Sequence, residues 1–436
     1  MGPVLPRRGV LLGLAAAALT GCRTRAMPQA LSSKSQPASA PISFGTMSGF
    51  PSGVVPAFER DHPDIRIIYG AKTLPYELQD WIAGTSPLQS GADLTLALRD
   101  LNWNQTVLFP GTMSPWTSNG RILAVPWSET PWGIRWRADA FEAAALPAPD
   151  PNWTWDGFQT ACSVLQGVAS SGRLKGLRAA LGPMAPSPDN NWIQGPQGMA
   201  YAPALSLEGL WQSFVWGFGG SVASAQRFTL TGTRTIQGLQ TLVDLIRHFT
   251  VPTADVANLV TKGMTASDWY QEVLATFAMS FDLYSPEPGP FTSPPWAWAR
   301  LPRFPVQPVI PILSNALALN ASSGKVPDPN ARETAAAATF AVWLNSPAAI
   351  QLTAPAGIVP ANAAPSVQTG FWMGRGPRNA AVVGDWANFR DAYDTFPIVP
   401  SRDFVVAALA DTLSHNLTLA EAVAQAEQQM NAEWAG

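Results

Sequence analysis

The residues of this chain best suited to chemistry are aromatic plates and scattered carboxylates rather than nucleophiles. Eighteen Trp stand in a chain with only 13% charged residues, about half the charged share usual for a soluble protein. Rings on so few charges suit stacking against a ligand, and most of them suit a hydrophobic core equally well. Trp216-Gly217-Phe218-Gly219-Gly220 concentrates the pattern. Its glycines allow a ligand or another backbone to come close, so Trp216 and Phe218 are candidate stacking platforms. Catalytic constellations are missing. His62, His248 and His415 are isolated, and no H-E-x-x-H, G-x-S-x-G or phosphate-loop pattern occurs. Gly45-Thr46-Met47-Ser48-Gly49 lacks the nucleophile-elbow spacing. Two Cys build neither a disulfide framework nor a thiolate metal site. The expectation is binding without catalysis, with no cofactor and no metal.

A net charge of −3 argues against nucleic acid as a partner. At the N-terminus, Arg7 and Arg8 precede an apolar run from Val10 to Leu19. That run is too short to span a hydrocarbon core of about 30 Å and fits a signal-peptide core. Leu19-Thr20-Gly21-Cys22 resembles the bacterial lipobox, which implies cleavage and lipidation at Cys22. An ordinary secretory signal with a chance Cys is the other reading. Twin-arginine export is only weakly indicated, because Pro6 replaces the usual Ser or Thr. Residues 1–21 are then a signal peptide, and 22–41, rich in Ser, Ala, Pro and Gln, a flexible leash. No later stretch is apolar for long enough to cross a membrane.

The elements that must position the candidates begin with a short strand, Ile42-Ser43-Phe44, and a loop of small residues. Val54, Val55 and Phe58 mark a helix, and Ile65 to Ile68 a second strand. Tyr76 to Ala83 reads as a helix and Asp93 to Leu98 as a third strand. This alternation predicts a parallel α/β sheet. Ser48 then follows the first strand, at the carboxyl end where α/β clefts open; a plain turn is the alternative. Leu123 to Pro126 and Trp132 to Trp136 read as extended, with Trp132, Ile134 and Trp136 on one face. Thr154 is placed to cap a helix bearing Trp155, Phe158, Cys162 and Leu165. Ile236, Leu239, Leu242, Ile246 and Phe249 mark another helix. Phe277 to Leu283 and Pro308 to Leu319 read as extended, and Ala331 to Asn345 as a helix. Arg402 to Leu413 and Leu419 to Ala432 are expected helices, the last with a Thr418–Glu421 capping box.

Five segments, in order, resemble the sugar-binding solute-binding proteins of ABC importers, the group that includes maltose-binding proteins. The clearest runs from Ile122 to Phe158, through Val125-Pro126-Trp127-Ser128-Glu129-Thr130 and Trp153-Thr154-Trp155-Asp156-Gly157-Phe158. The others are Phe58 to Ile65, Trp216 to Gly220, Phe277-Ala278-Met279, and Trp343 to Ala361. The likeness covers nearly all of 42–434. It departs from the family where Trp136-Arg137 replaces a usual Tyr-Asn pair, at Ser280 to Ser285, and at Leu313-Ser314-Asn315-Ala316.

The resemblance implies a type II periplasmic-binding-protein-like fold: two α/β lobes joined by a hinge, with a ligand cleft between them. Lobe 1 would comprise 42–126 and 302–350, and lobe 2 would comprise 127–301 and 351–436. Sugar rings stack on Trp or Tyr, while Asp, Glu, Asn or Arg hold their hydroxyls. On that basis Asp100, after the third strand, and Trp127 and Glu129, at the crossing between lobes, are ligand candidates. Trp132 follows them, although its alternation fits a core position equally. Asp282 and Tyr284 follow the return strand as a polar pair, and Asn315, Trp372 and Trp192 are further candidates. Low charge and abundant Trp favour a neutral sugar or polyol over a charged solute. The family implies a monomer, tethered outside the cytoplasmic membrane, that delivers sugar to ABC permease subunits. A secreted carbohydrate-active enzyme, a surface adhesin and a sensor accessory of the same fold are the rival readings.

Overall fold

A computed structural model describes residues 42–45, 50–69, 76–82, 91–109, 111–113, 116–184, 193–194, 200–201, 205–224, 227–252, 255, 259, 265–283, 296–309, 312–321, 328–364, 367, 371 and 403–435. The chain divides into Met1–Ser39 and Ala40–Gly436, and every described residue lies in the second unit. Ser48, Tyr284, Trp372, Trp192 and Cys22 fall outside the described residues.

A mixed sheet organises the unit. Its strands lie in the order Ile67–Tyr69, Ile42–Gly45, Tyr76–Ile82, Ile312–Ala321, Val125–Arg137, Phe277–Leu283, Ala179–Leu181, and Trp296–Ala299 also pairs with Val125–Arg137. Ile42–Gly45 pairs in parallel with both of its neighbours. Ile312–Ala321 runs antiparallel to both strands beside it.

Two of the sequence expectations are overturned here. Tyr76 to Ala83, read as a helix, is the strand Tyr76–Ile82. Its backbone fills the slot between Ile42–Gly45 and Ile312–Ala321, where both edges need hydrogen-bond partners. So short a segment has little helical stability of its own to oppose that pairing. Asp93 to Leu98, read as a strand, contributes to the helix Thr95–Asp100. The Asp93 carboxylate accepts from the Thr95 N–H at 3.0 Å and satisfies a donor at the helix start. Ala97 and Leu98 are then buried.

Elsewhere local chemistry and structure agree. Thr154 Oγ1 accepts from Gly157 N at 3.2 Å and starts the helix Trp155–Ser171, whose Trp155, Phe158, Cys162 and Leu165 are buried. In the helix Thr233–Phe249, Leu239 and Leu242 are buried. Thr418 and Glu421 bond reciprocally at the start of Leu419–Ala435.

Two large apolar cores result. One gathers Val54, Phe58, Ile65, Leu94, Leu98, Leu317, Leu319, Phe340 and Trp343. The other gathers Phe158, Leu165, Trp211, Phe214, Leu239, Met279, Phe281, Leu409 and Val423. The 13-residue strand Val125–Arg137 enters both, giving Val125 and Trp127 to the first and Trp132, Ile134 and Trp136 to the second. Of the two extended segments read from the sequence, Trp132 to Trp136 lies wholly in this strand, whereas Leu123 to Pro126 enters it only at Val125.

Candidate functional site

The strand Val125–Arg137 crosses between the cores, and its polar side chains define the site. Its first half pairs with Ile312–Ala321, setting Glu129 opposite Ser314 and Ser128 opposite Asn315. The other edge of that half is held by residues 359–361. Glu129 N donates to Val359 O at 2.9 Å, and Ala361 N to Trp127 O at 3.1 Å. Its second half lies between the return strand, with Asp282 opposite Gly133, and Trp296–Ala299, with Trp298 opposite Arg135.

Glu129 is 0% exposed. Ser314 Oγ donates to Glu129 Oε1 at 2.8 Å and accepts from Trp116 Nε1 at 3.2 Å. Neither Glu129 Oε2 nor the Thr112 hydroxyl meets a hydrogen-bond partner of good geometry. Burial pushes the Glu129 carboxyl well above the usual carboxylate range, against the smaller opposing pull of the Ser314 and Thr112 hydroxyls. A buried carboxyl in this position braces the crossing strand from inside. Beside it, Asn315 Nδ2 donates to Ser128 Oγ at 2.9 Å, and Asn315 remains partly exposed at a register shift in the ladder.

Further along the strand, Arg135 Nη2 lies 3.0 Å from Asp282 Oδ2. Ser280 Oγ donates to the same oxygen at 2.6 Å. The Arg135 guanidinium sits 5.0 Å from the Trp296 ring centre. The sequence reading found Asp282 but missed Arg135 and Trp296. The available signal was a lone Arg on the face opposite the apolar alternation Trp132, Ile134, Trp136.

The aromatic candidates lie deeper. Trp127 packs on Phe50, with ring centres 4.8 Å apart, inside the first core. Trp132, Trp216 and Phe218 belong to the second core. Phe218 meets Trp155 edge-on at 5.9 Å. The glycines around them serve protein–protein approach. A Cβ at Gly217 would overlap the Phe304 ring, and one at Gly220 would stand 2.8 Å from the Thr235 backbone. An open cavity of about 490 Å³ adjoins this loop, with Gly219, Arg227, Arg234 and Glu427 in its wall and no residue of the crossing strand.

Asp100 ends its helix instead of following a strand; its side chain is 63% exposed, and it pairs with Arg99 at 3.6 Å. The structure therefore brings Glu129, Asp282 and Asn315 to the crossing and sets Asp100 on the surface. His62 ends the helix Val54–Asp61 against the Phe58 ring, and burial lowers its pKa. Among the described residues, no group of three His, Cys, Asp or Glu is placed to hold a metal ion. No described helix is long and apolar enough to cross a membrane.

Two α/β cores bridged by one strand define a class of two-core folds, and solved structures of that class match nearly the whole chain. UgpB from Mycobacterium tuberculosis, in complex with glycerophosphocholine, has a TM-score of 0.65 at 17% identity, covering 90% of this chain and 98% of that one. An ABC substrate-binding protein from Listeria monocytogenes, in complex with cycloalternan, has a TM-score of 0.63 at 14% identity, covering 91% and 99%. An ABC transporter solute-binding protein from Agrobacterium radiobacter, in complex with ribitol, has a TM-score of 0.63 at 16% identity, covering 91% and 98%. No family model matches the chain, and no curated protein does. The protein has the type II periplasmic-binding-protein-like fold, the fold of these ABC solute-binding proteins.

Proposed function

We propose that this protein is the substrate-binding lipoprotein of an ABC importer. In this reading it captures a sugar or oligosaccharide outside the cytoplasmic membrane and hands it to permease subunits. The observation that carries the proposal is a single strand joining two cores, with partly exposed polar groups along it, in a chain that matches sugar- and polyol-bound ABC binding proteins over about nine-tenths of its length. Ligand contacts made from both lobes would favour a closed form, which the permease recognises. Asp282 and Asn315 are the proposed contacts among the described residues, and Ser48, Tyr284 and Trp372, which lie outside them, are proposed with them. Trp127, Trp132, Trp216, Phe218 and Glu129 would shape the cleft from beneath.

The lobes are proposed as 42–126 with 302–350, and 127–301 with 351–436. Hydrogen bonds between 361–363 and 107–109 favour moving 351–364 into the first lobe. Cys22 would carry the lipid and 22–41 the leash. The proposed protein performs no bond-breaking step.

A second reading comes from the glycerophosphocholine-bound match, which raises a glycerophosphodiester as the ligand. A thermal-shift screen of the mature protein against oligosaccharides, polyols, sugar phosphates and glycerophosphodiesters separates the two. Ligand at a hundredfold excess over Kd stabilises the folded state by about 2.7 kcal/mol. A shift with one carbohydrate class supports the proposal. No shift with any carbohydrate sinks the sugar assignment, and hydrolysis of a screened oligosaccharide revives an enzyme.

A further inference from the structure

The crossing strand and the return strand each send one face into the second core. Trp132, Ile134 and Trp136 point there, as do Met279 and Phe281. Strand alternation puts Arg135, Ser280 and Asp282 on the opposite face. Asp282 is the last residue but one of Phe277–Leu283, which runs parallel to Ala179–Leu181. Carboxyl ends of parallel strands are where clefts of α/β sheets open. The pair is neither sealed nor free in solvent, with side chains 19% exposed for Arg135 and 28% for Asp282. Its geometry is set from two sides. The Trp296 ring faces the guanidinium, and the Ser280 hydroxyl holds Asp282 Oδ2, the oxygen that also meets Arg135 Nη2.

Resting on the binding-protein reading above, we infer that Arg135 and Asp282 form a charge-balanced wall of the ligand cleft, one that admits an uncharged polyhydroxy ligand and rejects an anionic one. A hydroxyl both donates and accepts, so neighbouring hydroxyls of a sugar or polyol match a guanidinium beside a carboxylate oxygen. A phosphate only accepts. It would gain the Arg135 donors but meet the Asp282 carboxylate at the same place, and closure of the cleft removes the water that screens that repulsion. Arg135 alone would make a phosphate site; Asp282 cancels it. Trp296 is a positioning residue, because Arg135 stands against its ring.

The test is calorimetric titration of the wild type, Asp282→Asn and Arg135→Gln with maltose, ribitol, cycloalternan and glycerol 3-phosphate. Far-ultraviolet dichroism and melting curves check each variant's fold, and Arg135→Lys, which keeps the charge but not the planar fork, replaces Arg135→Gln if that variant does not fold. Wild type is expected to bind one of the neutral probes and not glycerol 3-phosphate. Both variants should bind that neutral probe about tenfold or more weakly, the scale of a lost charged hydrogen bond. Asp282→Asn alone should gain glycerol 3-phosphate binding. A wild type that binds no neutral probe counts against the sugar assignment and sinks this inference with it. A wild type that binds one, while folded variants bind it equally well, overturns the inference alone. Glycerol 3-phosphate binding by the wild type overturns it too.

Discussion

Ser314 and Glu129, 185 positions apart in the chain, share a buried hydrogen bond of 2.8 Å where the crossing strand leaves the first core. The bond ties that strand to Ile312–Ala321 by a side chain as well as by the ladder. Burial raises the Glu129 pKa well above the usual carboxylate range. Between the ordinary value and the raised one, the native state keeps a proton that the unfolded chain has released. The stabilisation is full below the ordinary carboxylate pKa and is lost as pH rises through the raised native value. Wild-type melting temperature should therefore fall on the alkaline side. Glu129→Gln, neutral at every pH and able to accept from Ser314, should remove that part of the fall. Parallel melting profiles for the two proteins, from about pH 5 to about pH 9, would count against a buried neutral carboxyl.

Gly217 touches the Phe304 ring where any Cβ would collide. Gly217→Ala should cost about 1–3 kcal/mol by overpacking, read from denaturant unfolding in the absence of ligand. An unchanged midpoint would mean that the glycine is kept for something other than this contact.

Trp216 is 8% exposed and lies in the second core. Trp216→Ala should thus lose about 3–5 kcal/mol of stability, whatever it does to binding. Trp216→Phe should retain much of that stability. If Trp216→Ala melts like the wild type, the ring is not a core residue, and a stacking role at the ligand returns to consideration.

Cys22 is the proposed lipid attachment point. Cys22→Ala in the full-length precursor should shift the protein from the membrane fraction to the soluble extracytoplasmic fraction on cell fractionation. Persistence in the membrane fraction would argue against a lipid tether at this residue.

What the sequence determined by itself was local. The caps at Thr154 and Thr418, and the apolar faces beginning at Trp155 and Ile236, are set by neighbours within a few residues, so their helices could be read directly. Asp282 stood out as a carboxylate near the end of an apolar strand, while Tyr284, read as its partner, lies outside the described residues. What only the tertiary structure decided depended on distant partners. Tyr76–Ile82 is a strand because Ile42–Gly45 and Ile312–Ala321 flank it. Trp127 lies in the first core because Phe50 packs on it, and Trp216 is taken into the second core. Arg135 joins Asp282 only because strand register sets Gly133 opposite Asp282, so that the charge two residues along can reach back. Hydrophobic spacing records which face of an element is apolar; it does not record which distant element covers that face, or which polar face is left at the opening between two cores.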